Sequence, residues 1–249
     1  EVADLNALSA ICKAKNIPFI ADTTIVPFTV FKAKDFGIDI ELVSSTKYIS
    51  GGATSVGGLI LDYGTFNWLS SPKLHVLAKD FGNMAFTVKL KKEIHRNLGA
   101  YMTPQVAYMQ TLGLETMDLR YEKATNTCFE LVTKLSGLAQ ISSLNYNGLA
   151  GNKFHQLAFS QFGAKPGAMF TFNLGSREAC FAFLNKLKLI KRATNLFDNK
   201  TLAIHPASTI YGNYTAEMRK AMSVSDCTIR ISVGLEDAAD LFEDFVQAL

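Results

Sequence analysis

The sequence has few cysteines and no long apolar run. Its four cysteines, Cys12, Cys128, Cys180 and Cys227, are far apart, and none falls in a C-x-x-C spacing. This excludes a zinc ribbon and a disulfide scaffold, and it is typical of a protein of the reducing cytosol. No apolar run approaches the roughly 20 residues of a membrane-spanning helix, and no signal peptide is evident. We therefore expect a cytoplasmic protein without a membrane partner.

The sequence also lacks a cluster of one charge sign. Its 249 residues include 25 Lys and Arg against 22 Asp and Glu, a net charge of +3. Because nucleic-acid binding needs a dense basic face, this balance argues against nucleic acid as the main partner. Hydrophobic residues make up 48% of the chain and charged residues 19%, which provides ample apolar material for a buried core.

Short apolar segments alternate with helical patterns in the first part of the chain. Residues 17–21 form a continuous apolar run, typical of a strand buried on both faces, after a helical pattern over residues 2–16. Further strands are predicted at residues 38–44 and 56–61, with a short helix at residues 31–37. This alternation predicts an α/β fold with a mostly parallel sheet.

The pattern changes beyond residue 98. A long amphipathic helix is predicted from residue 104 to about residue 135, and Gly113 within it predicts a kink or a close contact. Beyond Gly137 the order of strands and helices is typical of an α+β domain. We predict a larger-domain portion over residues 1–98 and a smaller C-terminal α+β domain over residues 99–249, with a packed interface between them. The later strands are predicted at residues 141–146, 168–174 and 228–233, and the later helices at residues 177–187, 216–222 and 236–249.

Polar clusters follow two of the predicted strands. Asp22 comes directly after the first apolar run, and Lys47 ends a Ser-Ser-Thr-Lys run 25 positions later. Because ligands bind at the carboxyl ends of strands in open α/β sheets, we expect the carboxylate and the amine over one crevice. Lys47 could form an imine with the aldehyde of pyridoxal phosphate, Ser44 and Thr46 could bind its phosphate, and Asp22 could pair with the pyridinium nitrogen. Taken alone, Lys47 could equally be a solvated surface residue, and Asp22 a helix cap.

Three runs together carry a family resemblance. They are IPFIADTT at residues 17–24, SSTKYISGG at residues 44–52 and TIRISVGLED at residues 228–237. They resemble the signature of the Cys/Met-metabolism family of pyridoxal-phosphate enzymes, and the likeness extends over nearly the whole chain. The resemblance implies a fold-type-I, aspartate-aminotransferase-like architecture and a pyridoxal 5'-phosphate cofactor.

The resemblance also implies a role for each residue that matches the family's motifs. Lys47 is expected to hold the cofactor, with Ser44 and Thr46 on its phosphate and Asp22 on its ring nitrogen. Arg230, in the R-x-S-V-G motif, is expected to bind the carboxylate of the substrate.

Two further runs indicate a branch of the family. GATSVGG at residues 52–58 and DYGTFNW at residues 62–68 resemble the O-acetylhomoserine sulfhydrylases, although Gly52 replaces a common histidine and Phe197 a common glycine. The resemblance implies that sulfide displaces acetate from O-acetyl-L-homoserine to give L-homocysteine in methionine biosynthesis, with Thr201 near the substrate. Two alternatives stay open: a cystathionine γ-synthase or a methionine or cystathionine γ-lyase, and a catalytically silent interaction module.

The same resemblance implies partners. They are a small amino-acid substrate, a sulfur donor that is either free sulfide or a carrier protein, and copies of the chain in a homotetramer. The sequence has no initiator Met and begins at Glu1 inside a helical pattern. We expect that the family's N-terminal part is missing, and that this chain alone is inactive. His205, before Pro206, is expected to close a turn or to pack under the site, and the histidine spacing predicts no metal site.

Overall fold

The first part of the chain forms a small sheet with helices around it. The computed structural model describes residues 1–164 and 166–249. Strand β2 (Ile40–Val43) lies between β1 (Ile20–Asp22), which runs parallel to it, and β3 (Leu59–Asp62), which runs antiparallel. The sheet is therefore mixed, because the connection over residues 44–58 reverses the chain direction between β2 and β3. The elements are α1 (Leu5–Lys15), β1 (Ile20–Asp22), β2 (Ile40–Val43), β3 (Leu59–Asp62), α2 (His75–Phe81), and a helical run made of α3 (Ala85–Lys89), a π-helical segment (Leu90–His95) and α4 (Arg96–Leu98).

Strand β1 is more exposed than its apolar sequence predicts. Ile20, its first residue, keeps 47% of its surface exposed, and Ile17, three positions before the strand, keeps 49%. The reason is topological: β1 is an edge strand of the sheet that the described residues form. The prediction of a strand buried on both faces is therefore wrong for this chain.

The second part forms a five-stranded sheet covered by helices. Its strand order is β4-β5-β8-β7-β6, antiparallel except for the β6–β7 pair. Helices α6, α8 and α10 pack around an apolar core that includes Phe172 and Phe245. The elements are α5 (Pro104–Glu115), α6 (Met117–Leu135), β4 (Ser143–Asn145), α7 (His155–Phe162), β5 (Met169–Asn173), α8 (Arg177–Lys186), β6 (Lys191–Arg192), β7 (Leu202–Ile204), α9 (Ala216–Ala221), β8 (Thr228–Ser232) and α10 (Ala238–Ala248).

The long helix predicted from residue 104 is two helices. The break between α5 and α6 lies at Thr116, not at Gly113. Gly113 instead makes the close contact, since a Cβ placed on it would lie 2.0 Å from the carbonyl oxygen of Ile49. Arg120 Nη2 donates hydrogen bonds of 2.7 Å to the carbonyl oxygens of both Tyr48 and Gly113. The start of α6 therefore packs on the segment that follows Lys47.

The two parts share a buried apolar cluster. It joins Phe19 and Tyr48 from the first part with Met117, Tyr121 and Phe197 from the second. The expected packed interface is therefore present, while the domain boundary at residue 98 stays a prediction. In the part of the chain that the structure describes, no helix has the length and apolar character needed to cross a bilayer.

Candidate active site

The backbone of Lys47 is fixed in a hydrogen-bonded turn after β2. Its N–H donates to the carbonyl oxygen of Ser44 at 3.2 Å. The hydroxyl of Ser50 donates to the carbonyl oxygens of Thr46 at 2.8 Å and Lys47 at 3.3 Å. The N–H of Thr46 reaches across the loop to the carbonyl oxygen of Gly57 at 3.3 Å. Because hydrogen bonds hold both ends of the turn, the direction in which the Lys47 side chain projects from the backbone is fixed.

The amine of Lys47 lies beside a distant segment of the chain. Its Nζ donates a hydrogen bond to Oδ1 of Asn195. Burial, and then the positive charge of Arg230, lower the pKa of the Lys47 amine, while the negative charge of Asp198 partly opposes them. A lowered pKa increases the fraction of neutral amine, which is the nucleophilic form.

Arg230, on β8, contacts the same segment as Lys47. Its Nη2 donates to the carbonyl oxygens of Thr194 at 3.0 Å and Asn195 at 3.1 Å. Its Nε is buried and has no hydrogen-bond partner within the described residues. Burial lowers the pKa of the guanidinium and the nearby Tyr211 raises it, but an arginine stays charged in water. An unpaired N–H on a charged guanidinium is suited to a carboxylate.

Asp22 and Ser44 lie at neighbouring strand ends, as the sequence predicts. Oδ1 of Asp22 accepts hydrogen bonds from the N–H of Thr24 at 3.0 Å and from its hydroxyl at 2.6 Å. The Thr24 hydroxyl in turn accepts from the N–H of Ser44 at 2.8 Å. Both Asp22 and Ser44 line an open cavity of about 850 Å³. Within the described chain, Oδ2 of Asp22 and the hydroxyl of Ser44 take part in no hydrogen bond, so both can bind a ligand.

The hydroxyl of Thr46 is already engaged. It accepts a hydrogen bond from the N–H of Gly57 at 3.0 Å and donates one to the carbonyl oxygen of Gly57 at 3.2 Å. To donate to a phosphate, this hydroxyl must release the longer of the two bonds. Of the two hydroxyls predicted to bind the phosphate, that of Ser44 is therefore the readier donor.

Thr201 bonds to the loop after β8, and within the described residues no hydrogen bond joins it to Lys47. Its side chain is buried, with the hydroxyl donating to Oε2 of Glu236 at 2.7 Å and accepting from the N–H of Gly234 at 2.9 Å. Its own N–H donates to Oε1 of Glu236 at 2.7 Å. These bonds stabilise the loop between β8 and α10. The hydroxyl of Thr201 is thus engaged in that loop, and its position near the substrate stays a prediction.

Asn195 is the site residue that the sequence did not single out. In residues 195–198 the unusual residue is Phe197, which replaces a common glycine. Asn195, two positions before it, is the residue that contacts the Lys47 amine. The other unusual position, Gly52, has φ of +114°, and a Cβ there would lie 2.7 Å from Nδ2 of Asn199. A histidine at this position would therefore need a different backbone and a displaced Asn199.

His205 has the turn-closing position that the sequence predicts. The imidazole is buried, with Nδ1 at 2.8 Å from Oγ of Ser208 and Nε2 at 2.8 Å from the carbonyl oxygen of Asp226. With both nitrogens engaged, it has a structural role. Among the described residues, no group of three or more His, Cys, Asp or Glu side chains could hold a metal ion.

The match to a family model decides the family. The model described as Cys/Met metabolism PLP-dependent enzyme matches residues 1–249. The chain belongs to this family. Pyridoxal 5'-phosphate (PLP) is therefore its cofactor, as the resemblance implied.

Relatives and solved structures agree with this assignment. The chain is 35% identical to the sulfhydrylase-like protein lolC2 of Epichloe uncinata, covering 99% of this chain and 54% of that protein. It is 34% identical to O-acetyl-L-homoserine sulfhydrylase 1 of Thermus thermophilus, covering 100% and 62%. It thus spans between half and two thirds of the length of these curated relatives.

Two solved structures confirm the predicted fold class. An O-acetylhomoserine sulfhydrylase of Wolinella succinogenes matches with a TM-score of 0.84 and 42% identity, covering 100% of this chain and 67% of that one. A putative O-acetylhomoserine (thiol)-lyase of Campylobacter jejuni matches with a TM-score of 0.91 and 29% identity, covering 100% and 62%. The latter carries N'-pyridoxyl-lysine-5'-monophosphate. The architecture is therefore that of a fold-type-I PLP enzyme.

The groups available in this chain fit the cofactor. A phosphate needs donors, and the Ser44 hydroxyl has no other partner among the described residues. A protonated ring nitrogen needs an acceptor, and Oδ2 of Asp22 is available for one. An aldehyde needs an amine, and Lys47 carries one whose pKa is lowered mainly by burial.

Proposed function

We propose that this chain contributes the lysine and arginine of a γ-replacement site that converts O-acetyl-L-homoserine and sulfide into L-homocysteine and acetate. The convergence of the Lys47 amine and the Arg230 guanidinium on residues 194–195 carries the proposal. The names of the relatives and of the matched structures support this reaction over others of the family.

Each predicted contact with PLP uses a side chain of the candidate site. Lys47 would bind the aldehyde of PLP, Ser44 and Thr46 would donate to its phosphate, and Oδ2 of Asp22 would accept a hydrogen bond from its ring nitrogen. Bound PLP supplies an electron sink that stabilises negative charge next to the amino group of the substrate.

The substrate roles fall on Lys47 and Arg230. Arg230 would bind the α-carboxylate through Nε, whose N–H has no partner within the described residues, whereas Nη2 already donates to two backbone carbonyls. A fixed carboxylate orients the bonds at Cα. The Lys47 amine, whose pKa is lowered mainly by burial, would take up and return a proton, which is general acid–base work.

The remaining partners belong to the same proposal. We propose that the complete active site needs protein beyond these 249 residues and forms in a homotetramer, so that this chain alone is inactive. The sulfur donor is free sulfide or a carrier protein. A product assay with each donor distinguishes the two.

The first test is covalent trapping of the cofactor in the complete protein. Reduction with borohydride after addition of PLP should leave a pyridoxyl-phosphate group on the peptide that contains Lys47. The Lys47→Ala variant should carry none, whereas Lys134→Ala, at a surface helix position, should be labelled like the wild type. Labelling elsewhere, with Lys47 unmodified, would contradict the assignment of the lysine.

The second test concerns the reaction. The protein with bound PLP should form homocysteine and acetate in equal amounts from O-acetyl-L-homoserine and sulfide. Product that forms only when cysteine replaces sulfide would identify a cystathionine γ-synthase instead. Breakdown of the amino acid without any nucleophile would identify a γ-lyase.

A further inference from the structure

Phe197 has an unusual backbone conformation for a bulky residue. Its φ is +56°, in the left-handed region, and its side chain is only 1% exposed. This conformation is costly for a residue with a large side chain and persists only where the surroundings impose it. The surroundings of Phe197 must therefore supply compensating contacts.

Those contacts come from the turn that carries Lys47 and from strand β8. The ring stacks on Tyr48, with centroids 4.6 Å apart and planes inclined by 21°. The N–H of Phe197 donates to Oγ of Ser232 at 2.7 Å. Tyr48 directly follows Lys47, and Ser232 lies two positions after Arg230 on β8. Phe197 thus links the lysine turn to the strand that carries the arginine.

Residues 194–199, here called the bridge segment, make the other contacts between these elements. Asn195 accepts the hydrogen bond of Lys47 and, through its carbonyl, one from Arg230. At the other end, Nδ2 of Asn199 donates to the carbonyl oxygen of Gly51 at 2.9 Å. Phe197 lies between these two residues and is the buried aromatic ring of the segment.

We infer that Phe197 is a positioning residue, which keeps Oδ1 of Asn195 against the Lys47 amine by fixing the bridge segment between Tyr48 and Ser232. The importance of this contact for turnover rests on the proposed function, whereas the contact itself is a property of this chain. If Phe197 only filled the core, removal of its ring would lower the stability of the protein and leave the protonation of the Lys47 amine unchanged.

The test measures the protonation of Lys47 without cofactor or substrate. The 249-residue chain is acetylated with acetic anhydride over a range of pH, and mass spectrometry of its peptides gives the midpoint of the Lys47 labelling profile. In Asn195→Ala the ammonium loses its acceptor, so the midpoint should move down. Phe197→Gly keeps the left-handed backbone accessible but removes the ring. It should move the midpoint in the same direction, by about half as much or more.

The decisive comparison is a double-mutant cycle. If Phe197 acts through Asn195, the variant with both substitutions should have the midpoint of Asn195→Ala alone. A wild-type midpoint in Phe197→Gly, or two shifts that add, would overturn the inference. Because no substrate enters the experiment, its result is independent of whether the proposed reaction takes place.

A matched pair separates positioning from stability. Phe197→Leu and Phe183→Leu each change a ring that is 1% exposed, but Phe183 belongs to the core of the C-terminal sheet. Both should lower the melting temperature, and only Phe197→Leu should move the Lys47 midpoint. If Phe197→Gly does not fold, Ser232→Ala tests the same link by removing the acceptor of the Phe197 N–H. An unchanged midpoint in Ser232→Ala and in Phe197→Leu would also overturn the inference.

Discussion

Lys47 and Asn195 are 148 positions apart in the chain, yet the Lys47 amine donates a hydrogen bond to the Asn195 side chain. The backbone carbonyl of the same asparagine accepts from Arg230 at 3.1 Å. One residue therefore contacts both cationic groups of the candidate site. This explains how two positive charges can lie close enough for Arg230 to contribute to the lowered pKa of Lys47.

Substitutions of Asn195 should shift the protonation of Lys47 in opposite directions. Asn195→Asp places a negative charge beside the ammonium, so the pKa of Lys47 should rise and its labelling at neutral pH should slow. Asn195→Ala removes the acceptor and should lower the pKa further. The measurement is the pH profile of Lys47 acetylation. Shifts of the same sign in both variants would show that the two side chains do not interact in solution.

Arg230→Lys should weaken substrate binding in the complete protein with bound PLP. Lysine keeps the charge but loses the planar pair of donors that matches a carboxylate. We expect KM for the amino-acid substrate to rise about tenfold to a hundredfold, the effect of losing one charge-assisted hydrogen bond of about 1.5–3 kcal/mol. Steady-state kinetics tests this, with Arg192→Lys, on the exposed strand β6, as the control. A normal KM with a reduced kcat would assign Arg230 to the chemical step.

Gly113→Ala should destabilise the protein even though alanine favours helices. The new Cβ would lie 2.0 Å from the carbonyl oxygen of Ile49, so α5 must move away from the lysine turn. We expect a loss of about 1–3 kcal/mol of unfolding free energy. Gly137→Ala is the control, because its Cβ meets nothing closer than 4.0 Å. Urea unfolding of both variants measures the difference, and equal stabilities would contradict the close contact.

Asp244→Asn should reduce stability in a pH-dependent way. The carboxylate accepts backbone hydrogen bonds of 2.9, 3.0 and 2.9 Å from Lys188, Leu189 and Ile190. Burial works to raise the pKa of Asp244, but these bonds, with one from Gln247, lower it overall. The stabilisation is therefore complete above the unfolded pKa of about 4 and is lost as the pH falls through the lower folded pKa.

At pH 7 we expect Asp244→Asn to lose about 1–3 kcal/mol of unfolding free energy. The difference from the wild type should shrink as the pH falls below about 4, first because the unfolded carboxyl takes up a proton and then as the folded one does at its lower pKa. Urea unfolding at several pH values measures it. Glu243→Gln, at an exposed position of the same helix, should change little at any pH. A loss that does not depend on pH would show that the carboxylate charge is not what stabilises this turn.

The sequence predicted one side of the candidate site in full, and from the other side it predicted Arg230 but not Asn195. Asp22, Ser44, Thr46 and Lys47 lie at strand ends that local apolar patterns reveal, and their order along the chain was enough to group them. Asn195 lies in a loop without a periodic pattern, so nothing local indicated its contact with Lys47. The reverse holds for Thr201, which a motif placed near the substrate and the fold commits to Glu236.

By itself the sequence determined the family and the cofactor and predicted the lysine, because these depend on residue types in short runs. Only the tertiary structure decided that α5 ends at Glu115, that β1 is an exposed edge, and that Phe197 takes a left-handed backbone between Tyr48 and Ser232. The physical reason is the range of the interactions. Strand and helix patterns report on neighbours a few residues apart, whereas the position of the Lys47 amine depends on contacts between segments nearly 150 residues apart.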